Sequence, residues 1–180
     1  MGGRRTDDRP DQRSFLYGPM VVRFMDGIKW ETVCDEFAFD GAWRDIYVLN
    51  TDMAAWQRML DGLLAAKYHI EYLKDDLLTE LPADATQAFP LPDGCGRLLS
   101  VRFAGVLANC HFFTSEEIEF DIDPRDVKGQ EQLDALFGFM RCLADSVDKD
   151  AILTWENRRE VAIFRVRPRQ SGIEYHPVGE

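Results

Sequence analysis

Residues 117–123 read Glu-Ile-Glu-Phe-Asp-Ile-Asp. A strand has a period of two, so Ile118, Phe120 and Ile122 share one face while Glu117, Glu119, Asp121 and Asp123 line the other, roughly 6–7 Å apart. Carboxylates held that close repel one another. The row therefore calls either for cations on the neighbouring strands or for a cationic partner. Glu116 and Asp126 extend it at its two ends.

Three chemistries fit such a row. The first is neutralisation within the sheet, for which Arg158, Arg159, Arg165, Arg167 and Arg169 are the candidates. The second is docking of a basic protein, because carboxylates at this spacing imitate the repeat of a phosphate backbone. The third is a metal ion held by Asp121, Asp123 and Asp126. The metal reading is the weakest, since Arg125 stands where a third ligand belongs, Asp126 replaces the glycine of a calcium loop, and no glutamate occupies the twelfth place. No metal ligands and no cofactor are expected.

Nucleophilic chemistry has one candidate, Cys110 beside His111, because a reactive thiolate needs a nearby cation to lower its pKa. Adjacent residues of a strand point to opposite faces, so these two should not meet. His69 and His176 are the other imidazoles available, and a Cys/His site near Cys110, lidded by the 82–96 loop, defines the alternative reading as a small enzyme or ligand-binding protein. Glycine-rich phosphate loops, nucleophile elbows and H-E-x-x-H are absent from the sequence. No catalytic residue is assigned.

Composition narrows the field. The chain has 180 residues, is 46% hydrophobic with 12 Phe, 5 Tyr and 4 Trp, and carries a formal charge of -11. One well-filled core is expected. The acidity argues against nucleic acid, whose phosphates require clustered cations, and favours a basic protein as partner. Cys34, Cys95, Cys110 and Cys142 are widely spaced with no C-x-x-C pair, which points to reduced thiols in a cytoplasmic protein. No apolar run reaches the roughly 18–20 residues of a membrane span.

The elements that must position these residues follow from periodicity and turn chemistry. Asp40-Gly41 predicts a hairpin between strands 32–39 and 42–49. Thr51 or Asp52 caps a helix to about residue 67, with Trp56, Leu60, Leu63 and Leu64 on one stripe. Strands 68–73 and 77–81 flank Asp75-Asp76, and the Pro-rich stretch 82–96 reads as a loop with one helical turn. A meander follows, with strands from 97 to 103 and on to 113 before the acidic strand. Residues 130–147 form the second amphipathic helix, and strands 151–155 and 161–166 close the fold.

The expected architecture is thus α+β: a mainly antiparallel sheet of eight or nine strands with two amphipathic helices packed on it. A faint likeness between the halves suggests a degenerate duplication. Residues 1–19 read as a disordered leader, 20–168 as a single domain and 169–180 as a polar tail. Function is expected to be non-enzymatic: an acidic protein-binding domain, monomer or homodimer, engaging a basic partner through Glu116, Glu117, Glu119, Asp121, Asp123 and Asp126, with Trp43 as an anchoring aromatic. An immunity or inhibitor protein of a cationic toxin or nuclease has this character.

Overall fold

The computed structural model describes residues 23–25, 27–89 and 96–177. The strands are β1 (Arg23–Met25), β2 (Arg44–Leu49), β3 (His69–Lys74), β4 (Leu77–Thr79), β5 (Arg97–Phe103), β6 (Val106–His111), β7 (Glu117–Ile122), β8 (Ala151–Trp155), β9 (Ala162–Val166) and β10 (Ile173–Tyr175). They form one sheet of ten strands in the order β1-β10-β9-β8-β2-β7-β6-β5-β3-β4. Every neighbouring pair is antiparallel. The helices are α1 (Trp30–Val33), α2 (Met53–Ala65) and α3 (Gln130–Val147). The α+β expectation holds, with the two amphipathic helices at the predicted places.

Topology explains why both long helices lie on one side. Following the antiparallel pairings, β2 and β3 run in the same direction, as do β7 and β8. Helix α2 carries the chain from β2 over β7, β6 and β5 to β3, and α3 carries it the opposite way from β7 over β2 to β8. Right-handed crossovers running in opposite senses put their helices on the same face. There α2 and α3 touch, with Cys142 Sγ 3.8 Å from the Gly62 carbonyl oxygen. Trp56, Met59, Leu60 and Leu63 of α2 and Leu133, Leu136, Phe139, Met140 and Leu143 of α3 pack on Ile46, Val48, Ile118, Phe120 and Ile122. Asp52 caps α2 by accepting a 2.7 Å hydrogen bond from the Ala55 amide. Helix α3 ends where Asp148 turns left-handed at φ 60°.

The predicted hairpin across Asp40-Gly41 is not formed. Residues 30–37 are helical instead, and β2 is flanked on both edges by β7 and β8, which leaves no ladder for 32–39. The i, i+4 spacing of Val33 and Phe37, both buried, is the helical signal that the Asp-Gly turn overrode. The stretch expected as a polar tail contains β10, whose Tyr175 hydroxyl donates to Glu36 at 2.8 Å. With β1 and β10 added and 32–39 removed, nine predicted strands become ten. The two halves also differ in connectivity, since one helix crosses three strands and the other crosses one. The expected leader, residues 90–95 with Cys95, and residues 178–180 lie outside the described residues. Among the described residues, no helix is long and apolar enough to cross a membrane.

Gly62 marks the closest approach of the two long helices. A methyl group there would stand 1.9 Å from Ser146 Oγ and 2.7 Å from Ser146 Cβ. Alanine favours an isolated helix over glycine by about 1 kcal/mol, yet Gly62→Ala is expected to lower stability in urea denaturation by about 1–3 kcal/mol because the pair overpacks. Adding Ser146→Gly should recover most of the loss. Ser146→Ala, which keeps the Cβ, should not.

Candidate acidic pocket

The sheet face away from the helices is where the acidic row projects. Directly opposed residues share a face, and the register sets Asp121 opposite Asp45 of β2 on one side and opposite Asn109 of β6 on the other. Glu119 lies opposite Tyr47. Like charges thus face each other at the centre of the sheet. Together with Trp43, His111, Glu156 and Asn157 they line a pocket of about 350 Å³.

Arg44 builds the wall of this pocket. Its side chain is completely buried, so each of its donors requires an acceptor inside the protein. Nε donates to the Glu36 carbonyl oxygen at 2.9 Å, Nη1 to that of Trp43 at 3.0 Å, and Nη2 to that of Ala38 at 3.1 Å. The guanidinium also lies 3.9 Å from the centre of the Trp155 ring. These bonds fold 36–43 into a compact loop and leave Trp43 half-exposed at the rim. The Trp43 amide then donates to Glu156 Oε2 at 3.0 Å, which anchors that carboxylate on the opposite wall.

The floor has fewer donors than acceptors. Asp45 is buried and accepts from the Asn157 amide at 2.7 Å. The Tyr47 hydroxyl lies 2.9 Å from Asp45 Oδ2 and 3.1 Å from Glu119 Oε1. A phenol has one proton, so it can donate to one of these carboxylates at a time. The other contact brings two lone-pair oxygens together unless a further proton is present. Ser100 donates to Asn109 Oδ1 at 2.9 Å, which turns the Asn109 amide nitrogen toward Asp121 Oδ1, 3.4 Å away. His111 Nε2 stands 3.9 Å from Asp121 Oδ2. Among the described residues, no lysine or arginine forms an ion pair with Asp45, Glu119, Asp121 or Glu156.

The carboxyl pKa values respond accordingly. Burial raises Asp45, Glu119 and Asp121 above the ordinary carboxylate value, against the lowering effect of their hydrogen bonds. Tyr47 is raised as well, first by burial and then by its two acidic neighbours.

The six acidic residues expected to form a docking ridge therefore separate into groups. Glu119 and Asp121 enter the pocket. Glu117 is neutralised by a close ion pair with Arg159 from the loop between β8 and β9. Asp123 is bound by Arg125 at 2.6 Å and caps the turn at Pro124–Asp126 through the Arg125 amide. Glu116 is exposed in the turn before β7 and Asp126 is half-buried, so neither lines the pocket. The row is the floor of a concavity whose ends are compensated and whose middle is not. Arg165, Arg167 and Arg169 serve elsewhere, the first two on Glu174 and the last on Asp148.

Asp45, Tyr47, Asn109, Glu156 and Asn157 had no signal of their own in the sequence. The alternation Asp45-x-Tyr47-x-Leu49 against Ile46 and Val48 marks their face, but only cross-strand register brings them to Asp121.

The Cys/His alternative loses its nucleophile. Cys110 is fully buried in the core, and burial pushes its thiol well above the ordinary value. His111 points to the opposite face, His69 lies beside Glu71 at 3.5 Å, and His176 beside Glu174 at 3.6 Å. Among the described residues, no three His, Cys, Asp or Glu side chains are disposed to hold a metal ion. Comparison of the chain with protein-family profiles, curated proteins and solved structures finds no match.

Because the folded state raises the Asp121 pKa, this carboxyl favours folding when protonated and loses that contribution as the pH rises through the carboxylate range. Asp121→Asn keeps the shape and removes the charge facing Asp45. It is expected to raise stability at pH 7 by about 1 kcal/mol. The gain should shrink as urea titrations are repeated at pH values falling through the raised Asp121 pKa, and be largely gone at about 4, the unfolded-chain value.

Proposed function

We propose that this protein is a cytosolic, non-enzymatic binding domain that recognises a basic protein by taking a lysine or arginine side chain into the acidic pocket. The observation that supports this is the single Tyr47 proton shared between Asp45 and Glu119. An entering guanidinium or ammonium supplies the N–H donors that these oxygens and Asp121 lack, and charge-assisted bonds of that kind are the strong ones. Trp43 at the rim offers an aromatic face for a cation. The formal charge of -11 would steer a basic partner toward the molecule before contact.

The cleft is lined by carboxyls, amides, Trp43 and the His111 imidazole, with no serine, threonine, cysteine or lysine among them, so it offers more to a bound cation than to nucleophilic chemistry. An immunity or inhibitor role against a cationic toxin or nuclease agrees with this chemistry: the partner's own basic side chains would be the recognised groups. The three cysteines at positions 34, 110 and 142 are free thiols, which suits a reducing compartment.

The test separates the pocket from general acidity. An N-acetylated tetra-arginine peptide is titrated into wild-type protein, into Glu119→Gln with Asp121→Asn, and into Glu31→Gln with Glu131→Gln, a double change of equal charge at exposed helical positions. The pocket variant is expected to weaken binding about tenfold or more at low salt, and the helical one by less than about twofold. Equal weakening by both would show attraction to net charge alone and end the proposal.

A further inference from the structure

The face that carries the pocket also carries an apolar row beside it. Leu78 of β4 opposes Leu73 of β3, Leu73 opposes Leu98 of β5, and Leu98 opposes His111 of β6, so these side chains stand on one face in a line across the strands. Four strands at about 4.8 Å spacing make the line about 14 Å long. It ends at the wall of the pocket, where the His111 ring stacks on Phe113 with centroids 5.1 Å apart. Leu78 is 71% exposed and Phe113 is 70% exposed. Leu73 and Leu98 are half-exposed. The buried side chains of α1, α2 and α3 all belong to the core on the other face. Among the described residues, nothing from the helices covers this row.

The neighbouring row on the same face runs through Ser100, Asn109, Asp121 and Asp45. An apolar line that ends at an acidic pocket selects its occupant. A second copy of this chain would add a second acidic pocket beside the first, with each molecule already at -11. A segment with an apolar stripe and a cation beside its last apolar turn matches the line and the pocket at once. A helix rises 1.5 Å per residue, so about nine residues span the apolar line with Leu-like side chains at i, i+3 or i+4, and i+7.

We propose that the open sheet face from Leu78 to His111 docks an amphipathic basic helix of another protein. Its apolar stripe lies along Leu78, Leu73 and Leu98, and a cationic side chain from its flank enters the acidic pocket. This rests on the pocket's reading as a cation site and adds the form of the partner's recognition element. Apolar contact would hold the complex, and the carboxylates would fix its register.

The probe is a synthetic helix-forming peptide with Leu on one stripe and Arg on the flanks, compared with a control of the same charge in which each Leu is Ser. Wild-type protein is expected to bind the Leu peptide at least about tenfold tighter than the control. Leu78→Ser with Leu98→Thr should remove that preference while binding the control as before, and Glu119→Gln with Asp121→Asn should weaken both peptides. The methyl resonances of Leu73, Leu78 and Leu98 in the unaltered protein should shift on adding the Leu peptide, a reading independent of how the variants fold. Unmoved methyls, or equal affinity for the two peptides, overturns the proposal. If the pocket variant binds normally while the apolar one does not, the cation reading fails and the docking face stands on its leucines alone. A dimer by sedimentation that Leu78→Ser with Leu98→Thr dissociates assigns the face to a second copy. Stronger peptide binding after Arg4, Arg5, Arg9 and Arg13 are all changed to Ala assigns it to the chain's own first residues. Either result overturns docking of a second protein.

Discussion

One phenolic proton stands between two carboxylates at the centre of the sheet, and much of the face away from the helices is arranged around it. Tyr47 cannot satisfy Asp45 and Glu119 together. Among the described residues, Asp121 faces Asp45 with the amide of Asn109 and the more distant His111 to offset it. A pairing like this disfavours the register of β2 against β7. The register persists because the other sides of the same two strands carry Ile46, Val48, Ile118, Phe120 and Ile122, all fully buried beneath α2 and α3. A one-residue slip would turn the apolar side chains of the shifted strand outward, Ile46 and Val48 of β2 or Ile118, Phe120 and Ile122 of β7, a far larger loss than the repulsion it relieved. The core therefore holds the acidic groups where they are.

Arg44 carries the same logic to the pocket wall. A buried guanidinium is costly unless its donors are met, and here backbone carbonyls of the 36–43 loop meet them. The loop is thereby folded by one side chain of the strand it precedes. Trp43 and Asp45, on either side of Arg44, then take fixed positions at the rim and on the floor.

What could be read in the sequence was whatever depends on neighbours along the chain. The helices over 53–65 and 130–147, the turn at Asp75-Asp76 with both residues at positive φ, and the alternation of β7 all follow from local period and turn chemistry. The Asp40-Gly41 hairpin misled because Gly41 does turn at positive φ, yet both edges of β2 are taken by strands distant in sequence. The site divided along the same line. Glu119 and Asp121 were visible in one strand, whereas Asp45 is 76 positions before Asp121 and Glu156 is 35 after it, distances that only the sheet closes. Compensation was equally hidden: of the arginines in the C-terminal segment, Arg159 reaches the row because its loop folds over Tyr47, and its guanidinium lies 5.6 Å from that ring.

Raised carboxyl pKa values give the pocket a second property. Burial opposes ionisation of Asp45, Glu119 and Asp121, so the empty floor holds its negative charge at a cost to the fold. A cation that arrives inside the pocket stabilises the ionised forms and draws their pKa values back down, so protons leave as it enters. For the proposed cationic partner, linkage would make affinity rise with pH across the carboxylate range and level off once the floor is fully ionised. It also makes an occupied pocket stabilise the fold that the empty one disfavours. If the pocket takes a cation as proposed, the exposed acidic surface would steer the partner and the crowded floor beneath Trp43 would hold the cation.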